Sequence, residues 1–258
     1  MRNLQKSGGA AALVSAASYV FAIGLYMTAL APMGDPSLGI GEYFAFYGEH
    51  RAIVFVWTYS MYILHGASLI VLVLALRERL KEASPRLSLA AACIGFAWAG
   101  FVLLSGFINL WGAEALADLY AKNPGLAETL KEAIAMVTLG IDSSDKCLGA
   151  LWIGLSSLAA LMALRAKAAP KALPTAVQST TVQLTAALPT AVQSTAVQLT
   201  AALPKPLAAA GLILGAAVFA MGLVLPANDP SASFAFGIGT IFWWLFLGLH
   251  MLKRQVNS

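Results

Sequence analysis

Six stretches of this chain run for about 18 to 25 residues each without one charged side chain, and that leaves little choice of architecture. They cover residues 9–31, 53–76, 87–111, 147–164, 207–225 and 234–252. At a helical rise of 1.5 Å per residue, such lengths match a hydrocarbon core of roughly 30 Å. Lipid offers no partner to an exposed N–H or C=O, so each crossing has to be a helix. The remaining chain cannot wrap this apolar material in a soluble shell. Of its 258 residues, 59% are hydrophobic and 11% are charged, where soluble domains carry roughly 25% charged residues. The expected fold is all-α: a polytopic transmembrane helix bundle of six spans in a single membrane domain. The first run, 9–31, exceeds the 7–15 apolar residues of a signal-peptide core and reads as an uncleaved span.

Charge sets the expected threading. If the N-terminus is cytoplasmic, that side holds Arg2, Lys6, Arg77, Arg79, Lys81, Arg86, Arg165, Lys167, Lys171, Lys205, Lys253 and Arg254. The outer side keeps Arg51, Lys122, Lys131 and Lys146. This twelve-to-four division of the 16 basic residues is a positive-inside pattern. It places both termini in the cytoplasm and the protein, multi-pass, in the inner (cytoplasmic) membrane. Ten of the 12 acidic residues fall outside, all but Glu78 and Glu82. The net charge of +4 therefore reflects orientation. The basic residues flank apolar runs and form no patch suited to nucleic acid, so the bilayer is the expected partner.

Two outer connections are long enough to hold structure. Residues 32–51 include Tyr43, Phe44, Phe46 and Tyr47, which suggests a short helix lying on the interface. Residues 113–146 read as an outer loop with one amphipathic helix. Asn123 caps it, Pro124 opens it, Leu126, Leu130, Ile134 and Val137 form its apolar stripe, and Gly140 ends it.

Between the fourth and fifth runs lies ALPTAVQSTTVQLTAALPTAVQSTAVQLTAALP, residues 172–204. It is a fifteen-residue unit written twice, the copies differing only at Thr181 and Ala196. Pro174, Pro189 and Pro204 interrupt any helix at each repeat. Two copies do not make a solenoid. Excising 172–201 leaves a connection of ordinary length, so the tandem repeat reads as an insertion into a cytoplasmic loop.

The chemistry is sparse. No phosphate loop, GxSxG, HExxH or paired-Asp motif occurs, and no catalytic, cofactor-binding or metal residue is assigned. As the runs are bounded, none contains Asp, Glu, Lys or Arg, which counts against pumps and proton-coupled carriers. His65 is the one ionisable group deep in a run. With Thr58, Tyr62 and Ser68 it forms a candidate polar face on the second span, and Ser18, Ser156 and Ser157 lie at comparable depth. The bland reading of His65 is a neutral histidine in an interhelical hydrogen bond; the alternative is a ligand contact. Bis-histidine haem would need a second histidine at matching depth, and His250 lies nearer the inner end. Glu42, Glu49 and His50 read as a solvated face before a metal site. Asn109 reads as helix glue, Trp243 and Trp244 as lipid- or bundle-facing bulk, and Cys93 and Cys147 as buried small hydrophobes. Gly211 and Gly215 form a GxxxG suited to close packing within the chain or between two copies as a homo-oligomer.

LQKSGGAAALVSAASYV, RERLKEASPRL, LWIGLSSLAALMALRAK and the Leu-Pro entry into LAAAGLILGAA together give a plan that resembles the bacterial six-helix membrane proteins gathered as domain of unknown function 4386. The resemblance implies fold and membrane location and brings no activity with it. Three classes follow: a non-enzymatic bundle that senses, scaffolds or assists; a permease for a small uncharged solute; and an intramembrane enzyme or redox protein. A water-filled path at His65 would favour the permease, and a packed interior the first class.

Overall fold

In a computed structural model, the structure describes residues 2–35, 37–168, 203–224 and 230–253. The repeat at 172–204 lies outside them except for Leu203 and Pro204. The elements are α1 (Arg2–Thr28), a 3₁₀ turn (Ala31–Gly34), α2 (Ile40–Thr58), a π-helical segment (Tyr59–Leu64), α3 (His65–Leu80), α4 (Pro85–Tyr120), α5 (Pro124–Ala168), α6 (Lys205–Val224) and α7 (Pro230–Lys253). The described residues contain no strand, and α2, the π segment and α3 form one continuous rod. Six rods are long and apolar enough to cross a membrane. The protein is a multi-pass membrane helix bundle.

Three of the rods are longer than a bilayer needs. Ile40–Leu80 has 41 residues, α4 has 36 and α5 has 45. At 1.5 Å each they run roughly 61, 54 and 67 Å, against a core of roughly 30 Å. Their surplus lies at the end away from Arg77, Arg86 and Arg165 and packs into a small three-helix head. There Arg51 forms a bidentate pair with Glu114, which also accepts from the Tyr47 hydroxyl at 2.8 Å. Phe44 stacks on Tyr120 at 4.6 Å between ring centres, and the Lys131 ammonium sits 4.2 Å over the Tyr43 ring. Leu30, Tyr47 and Val54 are buried beneath it, against Met33, Ala113 and Ala117.

This head replaces the two expected loops. The aromatic segment does not lie on the interface as a separate helix; it runs directly into the second span, with a local departure from helical geometry at His50. Residues 113–146 hold the end of α4, a break at 121–123 and the first half of α5. Asn123 does cap that helix, its Oδ1 accepting from the Leu126 N–H at 3.2 Å. Gly140 does not end it. A mid-helix glycine costs only about 1 kcal/mol, and the packing of α5 along α4 outweighs that. The stripe is also turned the other way: Leu126, Leu130 and Val137 are exposed, while Ala127 is the residue buried in that turn.

In the bundle α1 packs on α3 and α7, α4 on α3 and α5, and α5 on α6. Apolar side chains gain little by leaving lipid for one another, so membrane helices associate where small residues let backbones approach. Gly8 meets Ala75, Gly66 meets Leu103, and Gly106 lies under Tyr62. The GxxxG of α6 faces α5 of the same chain: Gly215 lies on Ala150 and Gly154, and Gly211 on Ser157 and Trp243. Both glycines are thus used within the chain.

Candidate functional site

The polar face of the second span is interrupted by a π turn that ends on His65, whose N–H bonds the Tyr62 carbonyl. A π turn adds one residue to a helix and recurs at functional positions. Thr58, His65 and Ser68 are buried, and Tyr62 is half-buried. The four residues all point inward, but on either side of the added residue they do not share the regular face of a straight helix.

His65 is 0% exposed. Aromatic rings from three other helices enclose it: Tyr19 of α1 at 4.7 Å between ring centres, Trp244 of α7 at 4.7 Å and Trp98 of α4 at 6.1 Å. Trp152, Trp243 and Phe236 extend the cluster around Trp98. Trp243 and Trp244, expected only as bulk, are therefore core residues, with Trp244 forming part of the wall of the site. Neither ring nitrogen of His65 has a hydrogen-bond partner, nor do the indole N–H groups of Trp98, Trp243 and Trp244. The expected interhelical hydrogen bond from His65 is not made. Ser18 instead donates to the Ser15 carbonyl at 3.0 Å in its own helix, and the Ser157 hydroxyl lies at Gly211.

A second polar group lies on α5. On the long α5, Asp142 and Asp145 face into the bundle, correcting the expectation that no acid lies within a membrane-crossing helix. Ser105 of α4 donates to Asp142 at 3.2 Å, and its carbonyl accepts from Asn109 at 2.8 Å. Asn109 is thus bonded within its own helix. Oδ1 of Asp145 is buried without a partner. The Trp98 indole lies next to the Asp145 carboxyl. His65 and Trp98 each lie twelve residues from the basic end, at Arg77 and Arg86, or roughly 18 Å along their helices. Ser105 bonds Asp142 and Trp98 meets Gly149, so Asp145 lies between those two levels of α4. The acidic pair therefore lies on the head side of Trp98.

The other candidates lie elsewhere. His250 is at the basic end, 3.4 Å from the Arg79 guanidinium, which also reaches Gln5 at 3.2 Å. His50 stacks on Phe46, and Glu42 accepts from the Gly39 N–H. Among the described residues, no three His, Cys, Asp or Glu side chains converge as metal ligands. Cys93 and Cys147 are free thiols; Cys93 is exposed rather than buried, and Cys147 lies against Gly222.

A buried polar atom without a partner costs about 1–3 kcal/mol, whereas an apolar replacement of similar shape removes that cost. His65→Leu should therefore leave the melting temperature in ligand-free detergent unchanged or raised. A melt destabilised by more than about 1 kcal/mol would show that the imidazole holds a partner. No protein-family model, curated protein or solved structure matches this chain.

Proposed function

We propose that the protein is a non-enzymatic membrane sensor whose occupied chamber at His65 is read out by the three-helix head. One observation carries this reading. Three of the groups in this region sit on rods that also build the head: His65 on Ile40–Leu80, Trp98 on α4 and Asp145 on α5. A change of spacing at the chamber is transmitted along stiff helices, and the π turn gives one of them a place to yield. His65 is packed on all sides rather than open to a water path, which favours binding over bulk conduction. The resemblance to the six-helix membrane family supports the same placement in the inner membrane.

Spin labels at Glu49→Cys and Met136→Cys, with Cys93 and Cys147 replaced by alanine, report the width of the head. Wild type and His65→Leu should differ by roughly 1–2 Å, the size of helix shifts in switching proteins. Superimposable distance distributions would count decisively against sensing.

A permease is the second reading; the crevice toward the basic end lined by Arg77, Ser88, Trp152 and Ser156 has no room for a water molecule, so conduction requires the helices to part there. Uptake of glycerol into proteoliposomes above that of protein-free vesicles would select this reading. For orientation, the basic-residue division supports cytoplasmic termini. In sealed cells, a cysteine-free variant carrying Glu128→Cys should react with an impermeant maleimide, and one carrying Glu82→Cys should not. The reverse pattern would invert the topology.

A further inference from the structure

Two of the three helices in the head turn charge outward, and the third does not. The exposed residues of α2 and α4 there include Glu42, Glu49, Arg51 and Asp118. On α5, Leu126, Leu130, Ala133, Val137, Gly140 and Ser144 are all exposed, at successive steps of four, three, four, three and four. That spacing is a heptad seam, the pattern by which one helix packs along another. The Ser144 hydroxyl donates back to the Gly140 carbonyl at 3.0 Å, so it asks nothing of a partner. Lys131 is turned inward over the Tyr43 ring, and Glu128 and Glu132 project off the seam on another side of the helix. The seam itself carries no charge from end to end.

Most of this seam stands clear of the hydrocarbon. The Ser105–Asp142 and Trp98–Gly149 contacts set α4 and α5 side by side in opposite directions, which brings Arg86 level with about residue 161 of α5. A core of roughly 30 Å measured from there ends near residue 141. Leu126, Leu130, Ala133 and Val137 lie beyond it, where contiguous exposed apolar side chains mark a contact surface. The chain does not reach this surface with its own segments. α6 packs on α5 from Gly211 at Ser157 to Gly222 at Cys147 and ends at Val224, at the foot of the seam. Of the chain outside the described residues, 169–202 and 254–258 are attached at the basic end, on the other side of the bilayer, and 36 is a single position. Residues 225–229 join α6 to α7 and are too few to follow a seam of roughly 27 Å and return.

A second copy fits it. Copies of one membrane chain share one orientation, so a two-fold axis between them stands along the membrane normal and their α5 helices run parallel. In register, each seam residue then meets its own counterpart. Leucine and valine layers leave water at the head, and Gly140 and Ser144 let the backbones close up at the lipid end. No charge meets its like along the seam. We propose that the Leu126–Ser144 seam of α5 is the interface of a parallel homodimer. The proposal stands apart from the reading of His65 as a sensor and does not depend on it.

The test is cross-linking of single cysteines by copper-phenanthroline in native membrane vesicles, on the full chain with Cys93 and Cys147 replaced by alanine. Leu130→Cys and Val137→Cys should each give a disulfide-linked product of two chains. Glu128→Cys lies on the opposite flank of the helix and should give about tenfold less, since Cα atoms more than about 7 Å apart cannot be bridged. Adding Leu130→Glu to Val137→Cys sets two like charges against each other at the axis and should remove the product. Far-ultraviolet circular dichroism on the purified variant establishes that it is folded; if it is not, Leu126→Glu carries the same test. No product at either seam position would overturn the proposal, as would equal yields at Glu128 and Leu130. So would a Val137→Cys product that survives Leu130→Glu in folded protein. A product heavier than one chain by anything other than a second chain would give the face to a different protein and overturn it as well.

Discussion

Gly215→Ala is expected to cost about 3 kcal/mol and to deplete folded protein from the membrane fraction. The added methyl would stand 2.5 Å from the Ala150 carbonyl oxygen and 2.8 Å from the Cα and N of Gly154. Those are backbone atoms, so no rotamer change relieves the contact and α5 and α6 must part. The seam between them runs through Gly154, Gly211 and Gly215, and separating it loosens Ser157 and Trp243 as well. Gly100→Ala is the control. Nothing lies within 4 Å of its methyl position, and that variant should melt no lower than wild type. Thermal unfolding of both in one detergent checks the pair; equal melts would mean the seam is slack.

Trp98→Ala should be about as damaging, at about 3–5 kcal/mol. Trp98 is 0% exposed and joins Trp152 at 5.4 Å, Phe236 at 6.0 Å, Trp244 at 6.0 Å and His65 at 6.1 Å. Removing the indole leaves a cavity bordered by rigid rings that cannot close over it. Trp98→Phe should recover most of the loss, because it retains a ring and deletes a donor that the protein does not satisfy. If the alanine variant melts within about 1 kcal/mol of wild type, the aromatic cluster is not the keystone described.

What the sequence made legible follows from which forces act locally. Charge-free length alone dictated six helices, because the bilayer forbids alternatives. The Asn123 cap was legible because an N-cap is a contact between near neighbours. Helix ends were not. A run ends where charge appears, but α4 and α5 continue past Glu114, Asp142 and Asp145 because their excess length packs against itself in the head. That is why the two aspartates escaped a search confined to apolar runs. His65 was found as the one deep ionisable group. Its wall of Tyr19, Trp98 and Trp244 could not be, since aromatic residues on separate helices carry no shared period. One signal was available: Trp98 and His65 are each twelve residues from a basic flank, so both sit at the same depth.

The π turn at Tyr59–Leu64 means that this rod contains one residue more than its span of turns requires. A regular helix offers its neighbours one register; a helix with a spare residue offers two. Drawing the extra residue into the α-helical ladder would rotate one flank by about 100° against the other and lengthen the rod by about 1.5 Å. Thr58 would then come onto the same side as His65, seven residues on. The slack sits directly before the most enclosed histidine in the molecule, so the helix stores its adjustment where the ring is held rather than at either end.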